Sequence, residues 1–195
     1  MRDLVLIGGY GGSGSRVTAR IVYGMGYEQP PRVNTSLDDL ELNTLLLSGG
    51  DAVGYLESLP AGTAVKLAGR TLALCSGVGG DCVYVHCMRD PRAILARVRD
   101  ATNERLGPDV GVKARYLDWI LFNIRAGEVR GSMPSIDMRF EDLHHGSGGY
   151  TDRLAAFLGA DPIGPVGLDL KRAFDCPRVE PPTDWLAGMV AAYGY

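Results

Sequence analysis

The chain has 195 residues, 46% of them hydrophobic, with 20 Lys and Arg against 23 Asp and Glu for a formal net charge of -3. That length and apolar content suit one domain over residues 1–195 with a sizeable core. Near-balanced charge argues against nucleic acid or a membrane surface as partner, and no apolar run approaches the ~20 residues of a membrane span. The run after Arg2 and Asp3 is too short for a secretory signal. Cys75, Cys82, Cys87 and Cys176 form no C-x-x-C pair, and His86, His144 and His145 complete no zinc spacing. Reduced thiols in a cytoplasmic protein are expected, although spacing leaves a Cys75–Cys82 disulfide open.

In chain order, residues 3–8 read as a buried first strand, and the glycine turn after it leads into a helix over 14–25. A Pro30-Pro31 loop follows, and Ser36 is the expected N-cap of a helix carrying Leu37, Leu40, Leu42 and Leu45 to Leu47. Strands are predicted at 63–68 (TAVKLA) and 82–88 (CVYVHCM). Pro91 suits the first turn of the next helix. Residues 109–127 form a further helix whose apolar stripe of Val112, Tyr116, Trp119, Ile120 and Ile124 reads as core. A fourth strand at 135–140, a helix at 151–158 and a last helix near 184–193 complete the pattern. Apolar runs alternating with helical periods predict an α/β fold with a mainly parallel sheet flanked by helices. His86, inside the third strand, reads as a packed core residue.

The stretch Gly9-Tyr10-Gly11-Gly12-Ser13-Gly14 fits two phosphate-binding turns. A dinucleotide fold needs an acidic residue at the end of a second strand about 20 residues on; the chain there reads YEQPPRVN, and two prolines make a poor central strand. The other reading is a P-loop, yet Ser15 and Arg16 follow Gly14 where an ATPase has Lys and a hydroxyl residue. Magnesium-ATP chemistry is therefore disfavoured. Anion binding remains, because backbone N–H groups at a helix start, with the Ser13 and Ser15 hydroxyls and Arg16, still make a phosphate cradle. Arg89 leaves the third strand at its C-terminal end, where open α/β sheets bind ligands.

Three ordered segments resemble one family. Arg89-Asp90-Pro91-Arg92, Arg139-Phe140-Glu141-Asp142-Leu143 with its following helix, and the ending Tyr193-Gly194-Tyr195 are similar to segments of the sulfotransferases that use 3′-phosphoadenosine 5′-phosphosulfate (PAPS). In that family the first strand, turn and helix grip the 5′-phosphosulfate. The resemblance implies a P-loop-like three-layer sandwich and a transferase. It would move a sulfuryl group from PAPS, as co-substrate and with no metal required, to a hydroxyl or amine of a small-molecule or carbohydrate acceptor. It further implies that Gly11, Gly12, Ser13, Gly14, Ser15 and Arg16 hold the 5′-phosphosulfate and that Arg89 grips the 3′-phosphate. Arg178 is placed to close over the nucleotide. The 139–143 segment is expected to support the fold rather than react.

Three positions depart from the family pattern. Gly12 stands where a basic residue is usual, and Arg97 where a serine normally helps bind the 3′-phosphate; Arg16, Lys66 or Arg97 would compensate. Ala68 stands where the family has a basic histidine. The loop VNTSLDDLELN offers Asp38, Asp39 and Glu41 instead, and Asp38 is the first candidate base, with Lys66 as the sulfuryl-side cation. Asp38 and Asp39 also suit the first turn of the helix capped by Ser36. The small size implies an acceptor cleft that is open or is closed by a second copy, as a homodimer. A P-loop small-molecule kinase, or an inactive nucleotide-binding module of the same fold, are the alternatives.

Overall fold

A computed structural model describes residues 2–67, 71, 75, 77–78, 80–96, 108–144, 149–163 and 178–195. Strand β1, Leu4–Gly9, is buried at every residue, as a continuous apolar run covered on both faces must be. β2 (Thr63–Lys66), β3 (Cys82–Met88) and β4 (Ser135–Arg139) complete a sheet of order β2-β1-β3-β4. Every pair is parallel, with Ile7 level with both Lys66 and Val85, Gly9 with Cys87, and Met88 with Arg139. All four C-terminal ends therefore share one edge. The order reverses between β1 and β3, and such a switch point is where open α/β sheets receive ligands.

Alternation along the strands sends two sets of side chains into two helical layers. Leu4, Leu6, Val65 and Tyr84 pack with Leu42 of α2 (Leu40–Ser48), Leu56 of α3 (Ala52–Ser58) and Phe122, Ala126 and Val129 of α5 (Pro108–Ser132). Val5, Ile7, Val83, Val85 and Met138 pack on the other face with Ala19, Ile21 and Val22 of α1 (Ser15–Gly24) and with Leu154 and Leu158 of α7 (Tyr150–Leu158). A third cluster joins Ile94 and Leu95 of α4 (Pro91–Leu95) to Tyr116, Trp119 and Ile120 of α5 and to Leu186 and Val190 of α8 (Asp184–Ala192). The three-layer α/β sandwich expected from the sequence is the observed fold. Among the described residues no helix is long and apolar enough to cross a membrane.

Several expectations are corrected. Ser36 does not cap α2: the cap is Asp39, whose carboxylate accepts from the N–H groups of Glu41 and Leu42. Asp38 thus lies outside the helix, and its backbone forms an isolated parallel bridge with Lys66. Asn34 explains the shift, because its Oδ1 accepts from the backbone N–H of Ser36 and of Asp38 and winds the chain into a turn before the helix. Helix α3 was not predicted, although Gly49-Gly50 and the Asp51 cap mark its start. Ile124, expected in the core stripe of α5, is half exposed, while Tyr116, Trp119 and Ile120 are buried. Cys75, Cys82 and Cys87 are free and buried; Cys176 lies outside the described residues. His86 is the core residue expected, its ring bonded to Tyr84 and to Asn123. Burial lowers its pKa to about 4.

A candidate active site at the C-terminal edge of the sheet

The turn from β1 into α1 depends on two glycines at positive φ, Gly12 (88°) and Gly14 (94°), a region that side chains penalise. Gly14 also faces an aromatic ring: a Cβ there would lie 2.9 Å from Cε2 of Phe140 and nearer still to Cδ2. Gly9 is as confined, since its Cβ would meet the Cys87 carbonyl oxygen at 2.6 Å and overlap Ser13 Oγ. The Ser13 N–H donates to the Tyr10 carbonyl at 2.9 Å, closing the turn. Ser13 is buried, yet its Oγ has no hydrogen-bond partner. An unpaired interior hydroxyl costs about 1–3 kcal/mol, and this one lies packed against Gly9 under the turn.

Arg89 follows β3 and is buried beside this loop. Its Nη1 donates to the Gly12 carbonyl at 3.3 Å, and its guanidinium lies 4.8 Å from the centroid of the Phe140 ring. One ring therefore backs both Gly14 and Arg89. Asp90 caps α4, its carboxylate accepting from the Arg92 backbone and guanidinium, while its own N–H donates to Glu141 Oε1 at 2.9 Å. Phe140 and Glu141 open α6 (Phe140–His144), directly after β4. Arg139, the last residue of β4, donates to the carbonyls of Gly194 and Tyr193 and stacks on Tyr195. Tyr193 and Tyr195 in turn meet Trp119 edge-on. The segment 139–141 is thus a brace that ties the glycine loop, the Arg89-Asp90 turn and the chain's last residues together.

On the far side of β1, the Lys66 ammonium pairs with Asp38 Oδ1, and both are largely buried. Asp38 Oδ2 accepts from Asn34 at 3.2 Å, so both oxygens are engaged. Lys66 also lies near enough to Cys87 to act on it; burial dominates there and pushes that thiol up to about 12, while the Thr18 hydroxyl and then Lys66 pull the other way. Among the described residues no group of three or more His, Cys, Asp or Glu could hold a metal ion.

No protein-family model and no curated protein matches the sequence. Among solved structures, the chain is similar to the sulfotransferase domain from the Synechococcus PCC 7002 olefin synthase, with a TM-score of 0.58 over 98% of this chain and 94% of that one. The chain has a sulfotransferase-like fold. At 13% identity the likeness is one of backbone architecture.

Within that sulfotransferase-like fold the predicted residues that are described fall in four places. Gly11, Gly12, Ser13, Gly14 and Ser15 form the loop, with Arg89 against it. Lys66 and Asp38 form a pair one strand away, at the same sheet edge. Arg16 is exposed on α1 and donates to Ser36 Oγ at 3.1 Å. Arg178 is exposed, with Nε 3.9 Å from Asp90 Oδ2, so it sits at the start of α4. Arg97 and Ala68 lie outside the described residues. The substitution of Gly12 for a basic residue now has a conformational side: φ is 88°, and a Cβ would come 3.2 Å from Ile94. The contact of Phe140 with Gly14 and Arg89 was not legible in the sequence, because nothing in residue spacing says that the end of β4 folds back on the first turn.

Proposed function

We propose that this chain transfers a sulfuryl group from PAPS to a hydroxyl or amine of a small-molecule or carbohydrate acceptor. The observation that carries the reading is the buried, unpaired Ser13 hydroxyl in a glycine turn flanked by Arg89, on a sulfotransferase-like fold. Residues 11–16 hold the 5′-phosphosulfate through backbone N–H groups and hydroxyls, and Arg89 serves the 3′-phosphate. The acceptor oxygen attacks sulfur in line, the bond from sulfur to the bridging phosphate oxygen breaks, and its electron pair leaves with adenosine 3′,5′-bisphosphate. The acceptor proton passes to Asp38, and Lys66 stabilises charge on the sulfuryl side. For that, the Lys66–Asp38 pair must open toward the substrates. A second reading, an inactive nucleotide-binding module, is favoured by that same pair, in which each group already satisfies the other.

A ligand that binds only the folded state raises its melting temperature. Adenosine 3′,5′-bisphosphate should therefore stabilise the protein where magnesium-ATP and NAD do not. In the Arg89→Ala variant the bisphosphate should lose most of its shift and adenosine 5′-phosphosulfate, which lacks the 3′-phosphate, little. Equal losses would reassign Arg89 to holding the loop through Gly12. A shift with magnesium-ATP or NAD alone would overturn the PAPS reading, and a bisphosphate shift with no turnover across an acceptor panel would favour the inactive module.

A further inference from the structure

Helix α5 carries a second apolar face, opposite the buried one. Val110 is 56% exposed, Leu117 43%, Leu121 53% and Ile124 50%, and Ala114 is exposed among them. At about 100° per residue these five lie within a strip about 80° wide and about 21 Å long. Spacings of four, three, four and three residues are those of a helix-pairing seam. Exposed singly, such residues would need no explanation; aligned on one helix, they mark an interaction surface.

The charges beside the strip say what fits it. Lys113, Asp118, Arg125 and Glu128 are all exposed along it. If a second α5 is laid antiparallel with its two-fold axis at Leu121, Leu117 comes within one residue of level with Ile124 of the other copy. To within one residue, about 1.5 Å along the axis, the same register sets Lys113 against Glu128 and Asp118 against Arg125, each twice. In a two-fold interface residue i meets j and j meets i, so one helix must carry both signs in mirrored positions, as this one does. A partner of one uniform charge would leave half of these groups opposed by like charge. We infer that this face of α5 is a two-fold interface between copies of this chain. A helix pair of this length buries on the order of 1,000 Å², near the lower limit for a specific contact, so the dimer forms at micromolar concentration. Asp118 also accepts from the Tyr10 hydroxyl of the glycine loop at 3.0 Å, which places the seam next to the candidate site.

Sedimentation equilibrium of the full chain over about 1 to about 200 µM tests this. The unaltered chain should pass from monomer to dimer across that range. Leu121→Glu, which sets two carboxylates together on the axis, should weaken the dimer at least tenfold. Lys113→Glu alone should weaken it several-fold, and adding Glu128→Lys to that chain should restore it to within about twofold of the original, since both pairs are then reversed. Far-ultraviolet circular dichroism and melting temperature check that each variant is folded; should Leu121→Glu fail there, the charge exchange decides. A monomer at the highest concentration, a dimer indifferent to Leu121→Glu, or a double variant weaker than Lys113→Glu would each overturn the inference.

Discussion

Replacing Gly14 with alanine perturbs the candidate site at the point where three segments meet. A Cβ on a residue at φ 94° costs about 1–2 kcal/mol in backbone strain alone. The same Cβ enters the space of the Phe140 ring, 3.0 Å from Cγ and closer to the ring edge, and overpacking of that kind costs about 1–3 kcal/mol. Gly14→Ala should therefore destabilise the protein by about 2–5 kcal/mol, a large part of a typical total of about 5–15, and lower the melting temperature by between about 5 and 15 °C. The assay is chemical denaturation with the slope held as a check on two-state behaviour. A double-mutant cycle with Phe140→Leu then separates the two causes. In the leucine background the alanine should cost only its backbone share, leaving a coupling of about 1–3 kcal/mol between the positions. Additive effects would refute the contact between the turn and the ring, and a near-neutral Gly14→Ala would refute the left-handed turn itself.

Stability should also fall on acidification through His86. Native His86 takes up a proton only near pH 4 because it is buried, whereas in the unfolded chain it does so near 6.5. Between these values the unfolded chain binds more protons, so stability declines as pH drops from about 6.5 to about 4 and levels off below, losing up to about 3 kcal/mol. In His86→Gln that slope should be missing from denaturation curves taken across this window; an unchanged slope would assign it to other groups. The Lys66–Asp38 pair gives a separate test. Lys66→Met or Asp38→Asn alone leaves a largely buried charge unmatched and should cost about 3 kcal/mol or more. The double variant should cost clearly less than the two singles together, and simple additivity would mean that the groups do not depend on each other.

The sequence by itself determined the α/β class, the four strands and the glycine turn, because each is written in short-range patterns: apolar runs, a 3.6-residue period, glycines at fixed spacing. Gly12 and Gly14 were legible as a tight glycine turn between a strand and a helix for that reason, and Arg89 as a neighbour of the candidate site because it stands at a strand end. Tertiary structure alone decided what surrounds them. The Lys66–Asp38 pair, the Arg89 bond to Gly12 and the ring of Phe140 against Gly14 join residues 28, 77 and 126 positions apart. No local pattern encodes such contacts; they follow from the parallel order β2-β1-β3-β4, which brings four strand ends to one edge. Two misreadings have the same origin. Ser36 has the chemistry of a helix cap, but Asn34 claims the turn and Asp39 takes the cap. Ile124 lies on a helical apolar pattern, yet a helix has two sides. Which of them meets the sheet is set by the packing of Phe122, Ala126 and Val129, and the other, with Ile124, is left exposed.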